Sequence, residues 1–262
     1  MKKLFWILLT IYILCSIGLF IIQDRVIFAA HPYANDFKYK EGTEHEIPLT
    51  DELEMNAVLV SENPGQRSKK AILYLHGNKG NARRGIYQAR VMKSLGYDIM
   101  VIDYRGYGKT EGTPINDSQM LTDVDKAYKY LTQFYEEKNI VVLGYSLGSG
   151  MASYIASKNK PAHLVLVAPF TSLTDIKNQW LWMFPDFLLK FNLDNKKHLQ
   201  DVTCGVSIIH GTEDNVVDYK YAEELKATYP QIELTTCEGL GHRRIIFDNR
   251  LRQILEKVAI AN

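Results

Sequence analysis

Ser146 is the residue whose surroundings most clearly promise chemistry. It stands in Gly144-Tyr145-Ser146-Leu147-Gly148, directly after the apolar run 140–143 and ahead of a helical pattern. G-x-S-x-G between a strand and a helix is the spacing of a nucleophile elbow, a tight, strained turn that exposes the hydroxyl at the end of a sheet. Small flanking residues let the two elements close around the serine, and the following helix points its N-terminus at the site. A serine hydroxyl is a weak nucleophile, so it needs a base, and the base needs an acid to orient it.

At an elbow of this kind the partners follow in the order serine, acid, histidine. His163, His198, His210 and His242 follow Ser146. His163 begins an apolar run, His210 ends one, and His198 lies in a long insertion. His242, in Gly239-Leu240-Gly241-His242, occupies a flexible loop after the last run and is the expected base. The expected acid is Asp214, in Gly211-Thr212-Glu213-Asp214 after the run 206–209, because loops at strand ends carry the working groups. Asp175 is the second candidate and Glu213 the third. Asp103 precedes Ser146, which leaves it an ion-pair or turn role, and Asp218 reads as a helix cap.

Acyl transfer also needs donors for the developing oxyanion. The backbone N–H of Leu147 directly follows the nucleophile. The second donor is expected in His76-Gly77-Asn78-Lys79-Gly80-Asn81, where Gly77 lets the chain turn inward and offers the N–H of Asn78. His76 reads as a holder of this loop and Asn81 as a helix cap. Lys79, Arg83, Arg84, Arg243 and Arg244 surround these positions. They either face the site and favour an anionic acyl or leaving group, or form a solvated basic rim.

The elements that must hold these groups follow from the apolar pattern. Short Val- and Ile-rich runs at 71–75, 99–103, 140–143, 164–168, 206–209 and 232–236 suit strands buried on both faces of a parallel sheet. Helical patterns lie between them at 82–95, 117–137, 147–157 and 219–229, with a last helix at 245–260. Asp117 or Ser118 is placed to cap the helix at 117–137. Segments 45–49 and 55–60 read as a leading hairpin, and Asn63-Pro64-Gly65 as a turn. Strand-helix alternation implies an α/β layered sheet with right-handed crossovers. The stretch 170–202 breaks the rhythm. With Trp180, Leu181, Trp182, Met183, Phe184 and Phe187 it is too apolar for a solvated loop, and it is expected to form a small helical cap, about 171–201. Its aromatics have three roles open to them: lining an acyl pocket, dipping into a membrane interface, or plain packing.

Residues 1–25 differ from all of this. Met1-Lys2-Lys3 precedes an uncharged run, 4–22, followed by Gln23-Asp24-Arg25. At about 1.5 Å per residue the run reaches roughly 28 Å as a helix, close to a hydrocarbon core of about 30 Å. It is longer than the apolar region of a cleaved signal and lacks a good cleavage site. A retained single-pass anchor is the expectation. Lys2 and Lys3 favour a cytoplasmic N-terminus, with the domain 26–262 on the extracytoplasmic side.

Composition narrows the rest. Lys+Arg 31 against Asp+Glu 30 leaves a net charge of +1, which argues against a nucleic-acid partner. Three Cys give no disulfide framework, and Cys204 and Cys237 fall near opposite ends of neighbouring strands, so free thiols are expected.

Taken together, H-G-N-K-G-N (76–81), D-Y-R-G-Y-G-K-T-E-G-T-P (103–114), G-Y-S-L-G-S (144–149), H-G-T-E-D-N-V-V (210–217) and G-L-G-H (239–242) resemble the α/β-hydrolase superfamily. The resemblance spans about 26–260 and is nearest the short-capped, membrane-anchored branch grouped with serine aminopeptidases and acyl-protein thioesterases. It implies a mostly parallel eight-stranded sheet, helices on both faces, and Ser146, Asp214 and His242 as a triad. Two departures stand out: Val217-Asp218 where the family often has Val-Pro, and Arg243-Arg244 where a small polar residue often follows the histidine.

The function this implies is ester or thioester hydrolysis through an acyl-enzyme on a small-molecule or acylated substrate, with no metal or organic cofactor. A serine peptidase is the alternative within enzymes; it would need an acid for the substrate amine, and 171–201 offers Asp175, Asp186 and Asp194. A membrane-tethered interaction module without catalysis is the alternative outside them.

Overall fold

The apolar runs become the centre of one sheet in the computed structural model, which describes residues 1–261 apart from Asn35 and Pro64, and Ala261 by its backbone alone. The turn read at 63–65 therefore has its proline outside the described residues. In chain order the elements are α1 (Lys2–Ile27), β1 (Thr43–Pro48), β2 (Glu54–Val60), β3 (Lys70–Leu75), α2 (Ala82–Lys93), β4 (Tyr97–Ile102), α3 (Asp117–Leu131), β5 (Ile140–Tyr145), α4 (Leu147–Lys158) and β6 (His163–Val167). The cap elements α5 (Leu173–Leu181) and α6 (Asn195–Leu199) follow, then β7 (Gly205–Gly211), α7 (Lys220–Thr228), β8 (Glu233–Cys237), α8 (His242–Ile245) and α9 (Asn249–Ala261).

The sheet has eight strands in the order β1-β2-β4-β3-β5-β6-β7-β8. β2 runs antiparallel to both β1 and β4, and the other pairings are parallel. Every residue of β4 and β5 is buried, as a strand covered on both faces requires. Two apolar layers do the covering. One packs Val124 and Tyr128 of α3, Met151 and Ile155 of α4 and Leu225 of α7 on one face. The other packs Ile86 and Met92 of α2 and Leu251 and Leu255 of α9 on the opposite face. The chain thus has the α/β-hydrolase architecture its motifs implied.

Local details differ from the sequence reading. α3 stops at Leu131 rather than 137, and its cap is Asn116, whose side chain accepts from the N–H of Gln119, not Asp117 or Ser118. The last helix starts at Asn249 rather than 245, after Asp248, whose carboxylate takes the N–H and guanidinium of Arg250, and a separate short helix, α8, precedes it. Of the two roles open to Asp103, it takes the one in a turn, and among the described residues it has no ion-pair partner. It is fully buried and accepts from Tyr39, Asn56 and the N–H groups of Ala82 and Lys109, so it ties the start of α2 to the loop after β4. Burial pushes its carboxyl up, against the pull of those donors. Cys15, Cys204 and Cys237 are free.

α1 is 26 residues long, and its length and composition are those of a membrane span. Its C-terminal half lies against the cap. Gln23 is buried there and hydrogen-bonds to the cap backbone.

Candidate active site

The elbow forms because two positions admit no side chain. A Cβ at Gly148 would come 2.1 Å from the carbonyl oxygen of Leu75, and one at Gly144 would come 2.6 Å from Cβ of Ala152. Glycine there lets α4 start against the end of β3. Ser146 itself takes φ 53° and ψ −117°, a strained backbone for a non-glycine residue that the surrounding elements over-determine.

Ser146, His242 and Asp214 lie in one hydrogen-bonded row. His242 Nε2 is 3.0 Å from Ser146 Oγ, and His242 Nδ1 is 2.6 Å from Asp214 Oδ2. A carboxylate only accepts, so the imidazole proton sits on Nδ1 and Nε2 is bare to take the serine proton. The second carboxylate oxygen, Oδ1, accepts from the N–H groups of Val216 and Val217, each at 2.9 Å. Burial would raise the Asp214 pKa. Hydrogen bonds from His210, His242 and the Val217 amide outweigh burial and hold the carboxyl well below the usual carboxylate range.

The other candidate acids are elsewhere. Asp175 accepts from the hydroxyls of Thr171 and Ser172, and its N–H donates to Ser172 Oγ, which caps α5. Glu213 is exposed beside the buried Asp214. Asp218 accepts from the N–H of Lys220 at the start of α7. His163 pairs with Ser207, and His198 packs its ring on Tyr154. His76 is fully buried on Tyr104 and hydrogen-bonds to Gly77 O, holding the loop; burial, with a contribution from Arg84, depresses it to about 4, so it stays neutral. Asn81 caps α2 through the N–H of Arg84.

Two contributors were not legible beforehand as parts of the site. His210 is fully buried, and its Nε2 faces Val217 O at 2.9 Å and Asp214 Oδ2 at 3.3 Å. Its place four residues before Asp214, across a strand end, was the available signal. Tyr145, the variable residue of the elbow motif, stacks on the His242 ring and donates its hydroxyl to His242 O at 3.0 Å. Burial pushes that phenol up to about 12, so it remains a donor.

Ser146 stands between two cavities. One, of about 380 Å³, is lined by Phe170, Ile176, Trp180, Phe184 and Val217 and by Leu19, Val26 and Ile27 of α1. The other, of about 260 Å³, is bordered by the polar and charged side chains of Lys79, Arg84, Tyr145, His242 and Arg243 and is called the polar cleft for them. Asn78 borders both, and Leu147 borders the apolar one. Asn78 Oδ1 accepts from the Ala29 N–H and from Tyr107, which fixes the loop against the chain leaving α1. Of the five basic residues near the motifs, Lys79, Arg84 and Arg243 line the polar cleft, Arg83 lines a separate groove with Tyr87 and Arg90, and Arg244 is exposed.

A strand-to-helix serine with a carboxylate-oriented imidazole on an α/β-hydrolase sheet defines a serine hydrolase. Comparison with known proteins agrees. The family model described as serine aminopeptidase, S33, matches residues 66–202, and the chain belongs to this family. A lysophosphatidylserine lipase, ABHD12, of Danio rerio is 30% identical over 188 residues, 63% of this chain and 48% of that protein. An uncharacterised protein of Mycobacterium tuberculosis is 28% identical over 204 residues, 74% of this chain and 72% of its own length. The chain spans about half the length of the zebrafish lipase it matches. Among solved structures, a Pyrococcus furiosus esterase superposes with TM-score 0.67 at 19% identity, covering 87% of this chain and 95% of its own. The ferulic acid-bound esterase Est1E of Butyrivibrio proteoclasticus gives 0.62 at 19%, covering 82% and 96%. These last two share the fold.

Proposed function

We propose that this ester hydrolase acts through Ser146, His242 and Asp214 on amphiphilic acyl esters that carry a negative charge on the leaving group, and that α1 holds it at a membrane. The row from Asp214 to Ser146, with contacts of 2.6 and 3.0 Å, carries the reading. His242 Nε2 takes the proton of Ser146 as Oγ attacks the ester carbonyl. The resulting oxyanion is held by the N–H groups of Asn78 and Leu147. Collapse expels the alcohol, which takes the proton back from His242, and leaves an acyl-Ser146 that water hydrolyses by the same steps.

The two cavities favour the substrate class. An acyl chain suits the apolar one, and a leaving group in the polar one meets Lys79, Arg84 and Arg243. The lysophosphatidylserine lipases among the relatives are named for a substrate of this class, with one acyl ester and an anionic head. Peptidase chemistry is less well served. Asp175 is held by Thr171 and Ser172, Asp186 is paired with Lys177, and Asp194 caps α6, so each acid proposed for a substrate amine already has a partner.

A fluorophosphonate probe tests the nucleophile: wild type labels and Ser146→Ala does not. An acyl-chain series of p-nitrophenyl esters run beside aminoacyl p-nitroanilides tests the class. Turnover confined to the anilides would overturn the ester reading.

A further inference from the structure

The apolar helix α1 carries polar side chains on one face. Tyr12, Ser16 and Gln23 follow one another at spacings of four and seven, the period that keeps residues on one stripe. Each meets the hydrolase domain or is covered by it. The Tyr12 hydroxyl donates to Met183 O at 2.8 Å, and Ser16 is buried. Gln23 works in both directions: Nε2 donates to Leu188 O at 3.0 Å, and Oε1 accepts from the Lys190 N–H at 2.7 Å. The Lys190 ammonium lies 4.5 Å over the Phe20 ring. A helix serving as a tether alone would need none of these contacts.

The same stripe reaches the nucleophile. Leu19, Gln23, Val26 and Ile27 line the same apolar cavity as Ser146. Its volume, about 380 Å³, is near the lower end of ligand cavities at about 300–1,000 Å³, which suits one acyl chain better than two. Beside this wall the cap presents Trp180, Trp182, Met183 and Phe187, which are 80, 73, 59 and 85% exposed. Four large exposed apolar side chains within eight residues mark an interaction surface or a membrane-facing one. Its neighbour is a helix of membrane-span character, which selects the membrane. With Gln23 at the edge of a hydrocarbon core about 30 Å thick, Tyr12 and its contact at Met183, about 16 Å along the helix, would lie about one leaflet down.

We propose that α1 is the removable-looking but integral wall of the acyl site, and that the acyl chain of a leaflet lipid enters sideways from the bilayer between α1 and the cap. The proposal rests on the ester-hydrolase reading of Ser146 and on α1 lying in a membrane. In it the cap edge sits in the acyl region of the leaflet. Gln23 clasps segment 188–190 to the helix and sets the width of the entrance. The lipid ester reaches Ser146 with its chain still shielded from water.

Full-length protein in phosphatidylcholine vesicles tests both halves. Leu19→Trp and Val26→Trp fill the cavity from the α1 side. Each should lower the ratio of kcat/KM for p-nitrophenyl palmitate over p-nitrophenyl butyrate by about tenfold, the effect of a few misplaced methylenes. A ratio within about twofold of wild type in both variants would overturn α1 as a wall. Immersion is read separately, without turnover. Trp6→Phe leaves two of the chain's three tryptophans, both on the cap. Their fluorescence should be quenched by phosphatidylcholine brominated along its acyl chains. Quenching by aqueous acrylamide alone would overturn entry from the leaflet. If wild type cleaves no ester, the proposed function fails, while the bromine experiment still decides where the cap lies.

Discussion

His210 Nε2 lies 3.3 Å from Asp214 Oδ2, the same carboxylate oxygen that His242 Nδ1 approaches at 2.6 Å. Two imidazoles thus converge on one buried oxygen, and His210 also reaches Val217 O. In the proposed triad His210 is a positioning residue: it fixes the acid that fixes the base. His210→Phe removes a hydrogen bond to a charged group, worth about 1.5–3 kcal/mol. The expected result is a fall in kcat of about tenfold or more, with KM for p-nitrophenyl butyrate little changed. An unchanged kcat would assign His210 to packing alone.

The elbow makes a sharper steric prediction. Gly148→Ala would put a methyl 2.1 Å from Leu75 O, a backbone atom at the end of β3 that has no rotamer to yield. α4 must then move off the sheet, taking the Leu147 N–H with it. We expect a loss of about 3 kcal/mol in stability, the upper part of the usual overpacking range, together with loss of turnover. Gly18→Ala meets nothing within 4 Å and is the matched control, expected to unfold with wild type. Thermal unfolding of both variants in one detergent decides the comparison.

Much of this site could be read from residue order alone, for a physical reason. An elbow imposes local requirements, glycine where α4 meets β3 and a turn that presents Ser146, and these leave a mark within five residues. The sheet was legible because β4 and β5 are buried on both faces and must be apolar throughout. What escaped was whatever depends on two distant segments meeting. Tyr145 looks like a free position in its motif until His242 stacks on it. Gln23 looks like the polar end of an apolar run until residues 188–190 close on it. Helix ends failed for a related reason. Asn116 and Asp117 are both good caps, and backbone geometry, not composition, chose Asn116.

Arg243 tests the anionic leaving group. It borders the polar cleft with Lys79 and Arg84 while remaining exposed, so solvent screens it. Arg243→Glu should raise KM for an ester with a phosphate-bearing leaving group by up to about fivefold at low salt, the range of an exposed pair. KM for a neutral ester of the same chain length should stay put. The difference should shrink as salt rises. Equal shifts on both esters would make this cleft a solvated basic rim.

His76 predicts how the fold responds to acid. It is fully buried and its pKa is lowered from 6.5 to about 4, chiefly by burial. A base whose folded pKa is depressed is bound as the neutral form. Its contribution is therefore complete above the unfolded value of about 6.5 and is lost as pH falls toward about 4, because the unfolded chain takes up the proton first. Between neutral pH and pH 5 this single group should cost about 2 kcal/mol of stability. His45, His163 and His198 are also lowered by burial and act with the same sign, so the total slope does not isolate His76. His76→Asn does. Its amide can keep the hydrogen bond to Gly77 O but takes up no proton. Urea midpoints for wild type and variant should converge as pH falls from neutral to 5, and parallel lines would show that His76 is charged in the folded protein.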